Sequence, residues 1–522
     1  MASRIPTIAS VWLLAGACSL EGLATGGGGE GGGGGTGTST NSTGGIDSSG
    51  GGSGGGGGAP VDPFDWMLAF GNVSVNENTN SLPIKMTEPD GSGAVWVAFS
   101  AKGSVVVHDP DGDVTLGEDT TASSVFILEV TEGRMTRSAV LQGSVVDGVT
   151  TSVTLGGLAR TDQGVAVVGH WVGTLSLGAT EAVAEGRAGF VALVDQRGVV
   201  GSFRKVDGQG AQTVDGVASV HSNGNLYVAG TLNRSLVPAD QLPGCTTGAA
   251  SGDVFVMRLL ASTLTCEDVA IFTTPDPQQK LPDISRVAAT EQRIVVAGSY
   301  EGTLHVGGLG DMTAVAAIDG FAIVLGTGLV PRWFVNVNGN PSSTDAVRDA
   351  VLVGATLSLG GYYGTTTAAN ELNPARVEVV GAAGEPCLLP SDSKGKDGFA
   401  ATLTFVDTDL LCTRADTFRT LNQDEVHALA AFETGEIVAG GFADGLLEGL
   451  TVPTEGDNGV FVALPGENVH GLQFGSLGSY VDALSVKKDG GVIVAGTFQN
   501  AFLSLPDGAH QDFFVGALRD PL

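Results

Sequence analysis

From Asp62 onward the chain alternates short apolar runs with breaks rich in Gly, Asn and Asp. No stretch keeps the three-to-four-residue apolar spacing of a helix, so the pattern predicts strands joined by tight turns. One unit with a central Phe recurs: Ser124-Val125-Phe126-Ile127, Ala188-Gly189-Phe190-Val191, Asp253-Val254-Phe255-Val256, Asp319-Gly320-Phe321-Ala322, Asp397-Gly398-Phe399-Ala400, Gly459-Val460-Phe461-Val462 and Asp512-Phe513-Phe514-Val515. The Phe residues are 64, 65, 66, 78, 62 and 53 positions apart. A second apolar unit precedes each Phe and ends in Gly, as in Tyr227-Val228-Ala229-Gly230, Val295-Val296-Ala297-Gly298 and Ile493-Val494-Ala495-Gly496. The first copy, Trp96-Val97-Ala98-Phe99, lacks that Gly.

Turn signals stand before the second unit: Asp90-Gly91, Asn223-Gly224-Asn225, Thr434-Gly435 and Asp489-Gly490-Gly491. Gly and Asn tolerate positive φ, so such pairs join antiparallel strands. A short apolar stretch lies before each turn, and a small ribbon follows the second unit, as in Gly173 to Leu177 and Gly302 to Val306. Four strands per copy predict an all-β, seven-bladed β-propeller of four-stranded antiparallel blades over residues 61–522. Two smaller β-sandwiches are the competing architecture, but no linker-like break interrupts the spacing.

The ends of this body support a closed ring. Asp65-Trp66-Met67-Leu68-Ala69-Phe70-Gly71 reads as the last strand of a copy, and Phe513 to Leu518 as the strand before it. An N-terminal strand that completes the C-terminal blade hides two sheet edges.

Composition adds the address. The 522 residues carry 25 Lys plus Arg against 56 Asp plus Glu, a net charge of −31, and 82 Gly. A chain this acidic, without a basic cluster, does not fit nucleic-acid binding. The Gly content opposes a helical bundle, and 42% hydrophobic residues oppose full disorder. Residues 1–17 read as a signal peptide: Arg4, then an apolar run of about 13 residues, too short to span a bilayer. Residues 18–60 read as a disordered tether, because 20 of the 33 residues from Gly26 to Gly58 are Gly and nothing offsets the entropy of ordering them.

The segment Leu13-Leu14-Ala15-Gly16-Ala17-Cys18 resembles the lipobox of bacterial lipoproteins, with Ala15 where Leu is usual. That resemblance implies a lipid carrying palmitate on Cys18 and a membrane anchor; ordinary cleavage near Ala17 is the other reading. Ser19, where Asp would imply retention at the inner membrane, implies export to the outer membrane or cell surface. The run from Asp215 to Gly230, followed by Asp253-Val254-Phe255-Val256, resembles the seven-bladed propeller repeat of secreted bacterial proteins. This second resemblance implies a fold and no particular activity.

Four cysteines remain. Cys245 and Cys266 flank the Phe255 unit, and Cys387 and Cys412 flank the Phe399 unit, so repeat equivalence selects two disulfides, each within a blade. Asp215, Asp283, Asp345, Asp424 and Asp482 each stand 14–16 positions before the Gly of a second unit. On a ring such carboxylates share a face, where they either ligate a hard cation such as Ca²⁺ or cap turns. His108-Asp109-Pro110-Asp111-Gly112-Asp113 spaces three carboxylates like the start of a calcium loop but has Val114 where the loop Gly belongs. An acidic hairpin is the competing reading. The Gly51 to Gly55 and Ser391 to Lys394 letter matches to nucleophile motifs lie in polar segments and carry nothing. The long insertion from Thr365 to Lys396 is the candidate recognition loop.

The expected protein is a monomeric envelope lipoprotein whose propeller binds or scaffolds, without catalysis, an envelope polysaccharide or protein. A glycan hydrolase or lyase and a purely structural envelope protein are the alternatives.

Overall fold

The computed structural model describes residues 63–519, except 73–83, 119, 179, 207–210, 233–252, 277–278, 340–342, 365–374, 383, 391–394, 421, 452–458, 467–468, 476–478 and 499–511. These residues form an all-β, propeller-like ring of antiparallel blades, with only two short 3₁₀ turns, His221–Asn223 and Gly307–Leu309.

Five blades stand as sheets of their own. One runs Gln212–Val220, Asn225–Leu232, Asp253–Leu260, Thr265–Phe272. The next runs Asp283–Ala289, Arg293–Tyr300, Asp319–Gly326, Pro331–Asn338, with Ala375–Val380 and Cys387–Leu389 added outside. Then come Ala346–Val353, Thr356–Gly364, Lys396–Val406, Asp409–Phe418, and Asp424–Ala431, Ile437–Ala443, Gly459–Leu464, His470–Phe474. The fifth runs Tyr480–Val486, Val492–Phe498, Asp512–Leu518 and then Phe64–Asn72, which pairs antiparallel with Asp512–Leu518 in the register Phe70↔Phe513.

The expectation of seven four-stranded blades is corrected: only five blades stand as sheets of their own among the described residues. Residues 85–206 form a single eight-stranded sheet of two meanders. They are Lys85–Met86, Val95–Lys102, Ser123–Thr131, Arg134–Gly143 and Ser152–Thr161, Gly164–Leu177, Thr180–Asp195, Val200–Val206. The physical cause is the length of Gly164–Leu177, which overshoots its meander and pairs Leu175 with Gly143 and Ser176 with Gln142.

The innermost strands pack side by side in a closed circuit. Lys85–Met86 meets Ser152–Thr161, then Gln212–Val220, Asp283–Ala289, Ala346–Val353, Asp424–Ala431, Tyr480–Val486, and Lys85–Met86 again. Apolar clusters fill the gaps between facing four-stranded units; one holds Tyr227, Val256, Phe321 and Ile323, another Ala400, Phe418, Val426 and Phe461. The repeated Phe residues, Phe126 through Phe514, are all 0% exposed.

The Gly of the second unit has a steric cause. Gly169 pairs with Phe190, Gly230 with Phe255, Gly298 with Phe321 and Gly496 with Phe514. A Cβ on Gly169 would sit 2.8 Å from the Phe190 ring and run into the carbonyl oxygen of Thr154 on the innermost strand. In two copies the equivalent residue is the second of a Gly pair, Gly361 opposite Phe399 and Gly441 opposite Phe461.

The short ribbons after the second unit cover outer edges of the preceding blade, which would otherwise offer unpaired backbone groups. Val105–His108 pairs with Phe64–Asn72, Ala375–Val380 with Pro331–Asn338, Leu175 with Gly143, and His305 bridges Thr273. The described part of the Thr365–Lys396 insertion therefore completes a neighbour's edge; residues 365–374, 383 and 391–394 of this candidate recognition loop lie outside the described residues.

Cys387 and Cys412 are joined as expected. What they join differs from the within-blade staple foreseen. Cys387 lies on the outermost strand of the sheet begun by Asp283–Ala289, and Cys412 on Asp409–Phe418 of the next sheet, so the bond ties two sheets. Cys266 is disulfide-bonded, and Cys245 lies outside the described residues. Cys18 and the whole 1–60 segment also lie outside them.

Candidate functional site on the ring axis

Six innermost strands break register once, at the same point, each after a buried Val, Ile or Leu. The shifts fall between Leu155/Gly157, Val214/Gly216, Ile284/Arg286, Val347/Asp349, Val426/Ala428 and Val481/Ala483. A bulge leaves one residue unpaired and re-aims it. The residues so released are Gly156, Asp215, Ser285, Arg348, His427 and Asp482. The close approach of strands that the repeated Gly permits lies next to three of these bulges, since a Cβ on Gly230, Gly298 or Gly441 would run into the carbonyl of Thr213, Asp283 or Glu425.

The released side chains meet charged groups from neighbouring blades. Glu425 accepts from Lys396 Nζ at 2.9 Å and lies 3.1 Å from His427 Nε2, with Arg348 Nη2 at 3.8 Å. His427 Nδ1 faces Asp482 Oδ1 at 3.6 Å, and its ring stacks on Tyr480 with centroids 5.6 Å apart. Lys396 and Arg348 both stand over the Tyr362 ring, at 4.0 and 5.2 Å. Burial alone would raise the Glu425 carboxyl, but the hydrogen bond and charge of His427, with Lys396, hold it down to about 2. Burial opposes charging His427, yet Asp482 and Glu425 outweigh it and raise the imidazole above its usual range. The trio thus holds the His427 imidazole between the Glu425 and Asp482 carboxyl groups.

Beside it, Arg286 Nε lies 3.0 Å from Asp349 Oδ1, and Asp349 also accepts the backbone N–H groups of Ala350 and Leu429. Farther round, Asp215 Oδ1 lies 3.7 Å from His170 Nδ1, and Asp215 accepts from Thr213 Oγ1. Crowding by the wall and then the charge of Asp215 push Asp283 above the usual carboxylate range.

The five aspartates singled out from the sequence thus separate into two kinds. Asp215 and Asp482 are bulge residues on the axis, and Asp283 sits near Asp215. Asp345 and Asp424 are buried and bind backbone instead. Asp345 accepts from Gly339 and Gly364 N–H groups and Ser343 Oγ; Asp424 accepts from Thr420 and from the Asp444 N–H. Burial raises them to about 7 and about 6. Among the described residues no three His, Cys, Asp or Glu converge on a metal-holding arrangement. In the His108 to Asp113 hairpin each carboxylate has an internal partner: Asp109 takes the Asp111 and Met135 N–H groups, Asp111 pairs with Arg134, and Asp113 with His108.

Sequence spacing missed Lys85, Arg286, Arg348, Asp349, Lys396, Glu425 and His427. For Lys85, Arg348 and His427 the signal was present, a charged or polar residue directly after a buried apolar one, as in Ile84-Lys85, Val347-Arg348 and Val426-His427. Away from the axis, a cleft of about 370 Å³ is lined by Asp90, Glu129, Arg137 and Arg160 among others. Its charges close on one another, Arg160 on Asp90 and Arg137 on Glu129.

No family model matches this chain, and no curated protein matches it. Among solved structures it is similar to the intramolecular trans-sialidase from Ruminococcus gnavus, determined in complex with oseltamivir carboxylate. The identity is 10% and the TM-score 0.33, with 84% of this chain and 94% of that one covered. The lipobox and repeat resemblances rest on the residues quoted for them.

Proposed function

We propose that this chain is an exported lipoprotein, anchored through Cys18 to the outer membrane or cell surface, whose propeller binds an envelope polysaccharide without catalysing a reaction. We count seven blades, reading the eight-stranded sheet as two. The count is supported by the apolar cluster holding Trp96, Ile127, Leu155 and Phe190, which packs its two meanders face to face as blades pack.

The observation that carries the binding reading is the state of Glu425. A general acid or base works best with a pKa near the operating pH. Glu425, at about 2, stays ionised and already engaged by His427 and Lys396. Such a wall is preorganised for hydrogen-bonding a polar ligand and poorly suited to passing protons.

The test is calorimetric titration of the full chain, in detergent, with maltoheptaose, chitotetraose and mannan. Saturable binding of one, weakened at least tenfold in Glu425→Gln and His427→Gln, supports the reading. Binding that survives both variants places the site elsewhere. Radiolabelled palmitate incorporation, lost in Cys18→Ser, tests the anchor.

One observation favours the enzyme alternative: burial and then the neighbouring Asp215 raise the Asp283 carboxyl, and a raised acid beside a second carboxyl group suits glycan cleavage. Release of reducing ends, abolished in Asp283→Asn, would establish it.

A further inference from the structure

The cleft of about 370 Å³ lies between the two meanders of the eight-stranded sheet. At one end of the meanders backbone pairing joins them, Leu175 with Gly143 and Ser176 with Gln142. At the other end they part, and two contacts span the gap. Toward the axis, Arg160 of Ser152–Thr161 donates to Asp90 Oδ2 at 3.1 Å and to the Ala94 carbonyl at 2.6 Å. Toward the rim, the turn at Gly198 rests on Arg134–Gly143; a Cβ on Gly198 would lie 2.7 Å from the Ser138 carbonyl oxygen.

One wall of the cleft is a row across three strands. Trp96 pairs with Glu129 and Glu129 with Arg137, so the three side chains share a face. Trp96 is 1% exposed and belongs to the apolar cluster behind the wall. The register shifts beside Glu129 and frees Thr136, whose Oγ1 donates to Glu129 Oε2 at 2.6 Å. Arg137 Nη1 donates to that same oxygen. Glu129 Oε1 is left over. The side chain is 8% exposed, and Oε1 accepts no hydrogen bond among the described residues while keeping access to solvent. Arg137 is 45% exposed, and its Nε and Nη2 likewise make no hydrogen bond among the described residues. Across the cleft, Gln196 spends its amide N–H on the Asp162 carbonyl and keeps its oxygen free.

We propose that this cleft is a second binding site, and that its ligand is a neutral hexopyranose unit. Of two adjacent ring hydroxyls, one donates to Glu129 Oε1 and the next accepts from Arg137; others meet Gln196 and Thr131. Asp90 with Arg160 and Glu129 with Arg137 cancel in charge. An anion would meet the open Glu129 oxygen and a cation the open guanidinium, and a neutral ligand meets neither repulsion. An apolar ligand would strip water from both groups and replace none of its hydrogen bonds. The volume is at the low end of the roughly 300–1,000 Å³ of small-molecule sites, which suits a short sugar. This inference goes beyond the axial reading and does not depend on it.

The probes are methyl α-glucoside, methyl α-mannoside and methyl β-galactoside, with glucuronate and glucosamine as charged counterparts. Each is titrated into the full chain in detergent and followed by ligand NMR. At least one neutral glycoside is expected to bind saturably, at least fivefold tighter than both charged sugars. Glu129→Gln and Arg137→Met are each expected to weaken it at least fivefold. Gln196→Trp changes an exposed residue at the rim and is expected to abolish binding by filling the cleft; it decides the matter if Glu129→Gln fails to fold. Glu425→Gln is expected to leave the affinity within twofold.

No saturable binding of any of the three glycosides, tighter binding of glucuronate or glucosamine, or binding unchanged in folded Gln196→Trp each overturns the proposal. Loss of binding in Glu425→Gln overturns it too, because the sugar then sits on the axis. If a glycoside binds in the cleft while no polysaccharide binds through Glu425 and His427, the cleft stands and the axial reading falls.

Discussion

Gly441 stands opposite Phe461 in its sheet, and the Cβ it lacks would overlap the backbone carbonyl of Glu425. The Gly that recurs in six of the seven repeats thus supports the axial wall directly, here two residues from the bulge that releases His427.

This relationship predicts an outcome for Gly441→Ala. The added carbon forces apart two strands in a packed sheet, which costs about 2–3 kcal/mol. The unfolding midpoint in urea should fall accordingly, and binding at the axis should weaken with it. Gly201→Ala is the control, because nothing lies within 4 Å of a Cβ there, and it should change stability by less than about 0.5 kcal/mol. Equal effects from the two substitutions would refute the steric account.

Replacing both Cys387 and Cys412 by Ser should cost about 3 kcal/mol, from the entropy of a loop whose ends are 25 residues apart. Because the bond ties two sheets, amide exchange should quicken in Ala375–Val380 and Cys387–Leu389, with far less change in Ala346–Val353. Exchange that rises only within Asp409–Phe418 would contradict a tie between sheets.

Stability should depend on pH in two opposing windows. Asp345 and Asp424 are raised from 3.8 to about 7 and about 6, so the folded chain holds protons that the unfolded chain has released. Stability should therefore fall as pH rises from about 4 to about 7, and Asp345→Asn should flatten that slope. Glu425 is lowered from 4.5 to about 2, so its contribution is complete above about 4.5 and is lost as pH falls toward about 2. Glu425→Gln should flatten that lower limb. Urea unfolding across the pH range, followed by tryptophan fluorescence, reads both slopes.

Lys85→Met should stabilise the fold by about 1 kcal/mol at neutral pH, because it removes a poorly solvated cation without a partner. The folded-state pKa of Lys85 is lowered from 10.5, so its cost is present below the folded value and fades as pH rises toward 10.5. The variant and wild type should converge there. A melting temperature that drops in the variant would mean that Lys85 is paired after all.

Much of this was legible in the chain. The Phe series, the closing strand at Phe64–Asn72 and the Cys387–Cys412 pairing follow from repeat equivalence, which needs no knowledge of register. The axial wall does not follow from it. Asp215 lies 15 positions before Gly230, and Asp283 lies 15 before Gly298, yet one is the bulge residue and the other begins its strand. The hairpin turns between the first and second units differ in length, so equal spacing merges two structural positions. Only the strand register separates them, and the register depends on where each bulge falls.

The ribbons that cover outer edges give the ring a property that a row of repeats lacks. A solenoid can lose an end unit and keep the rest, because each unit is complete once stacked. Here the outer strand Pro331–Asn338 is finished by Ala375–Val380 of the following repeat, and Phe64–Asn72 by Val105–His108. A blade is therefore not an inheritable piece on its own. Deleting or duplicating one strips a cover from its predecessor, so the heritable unit of this architecture runs from one outer edge to the next ribbon.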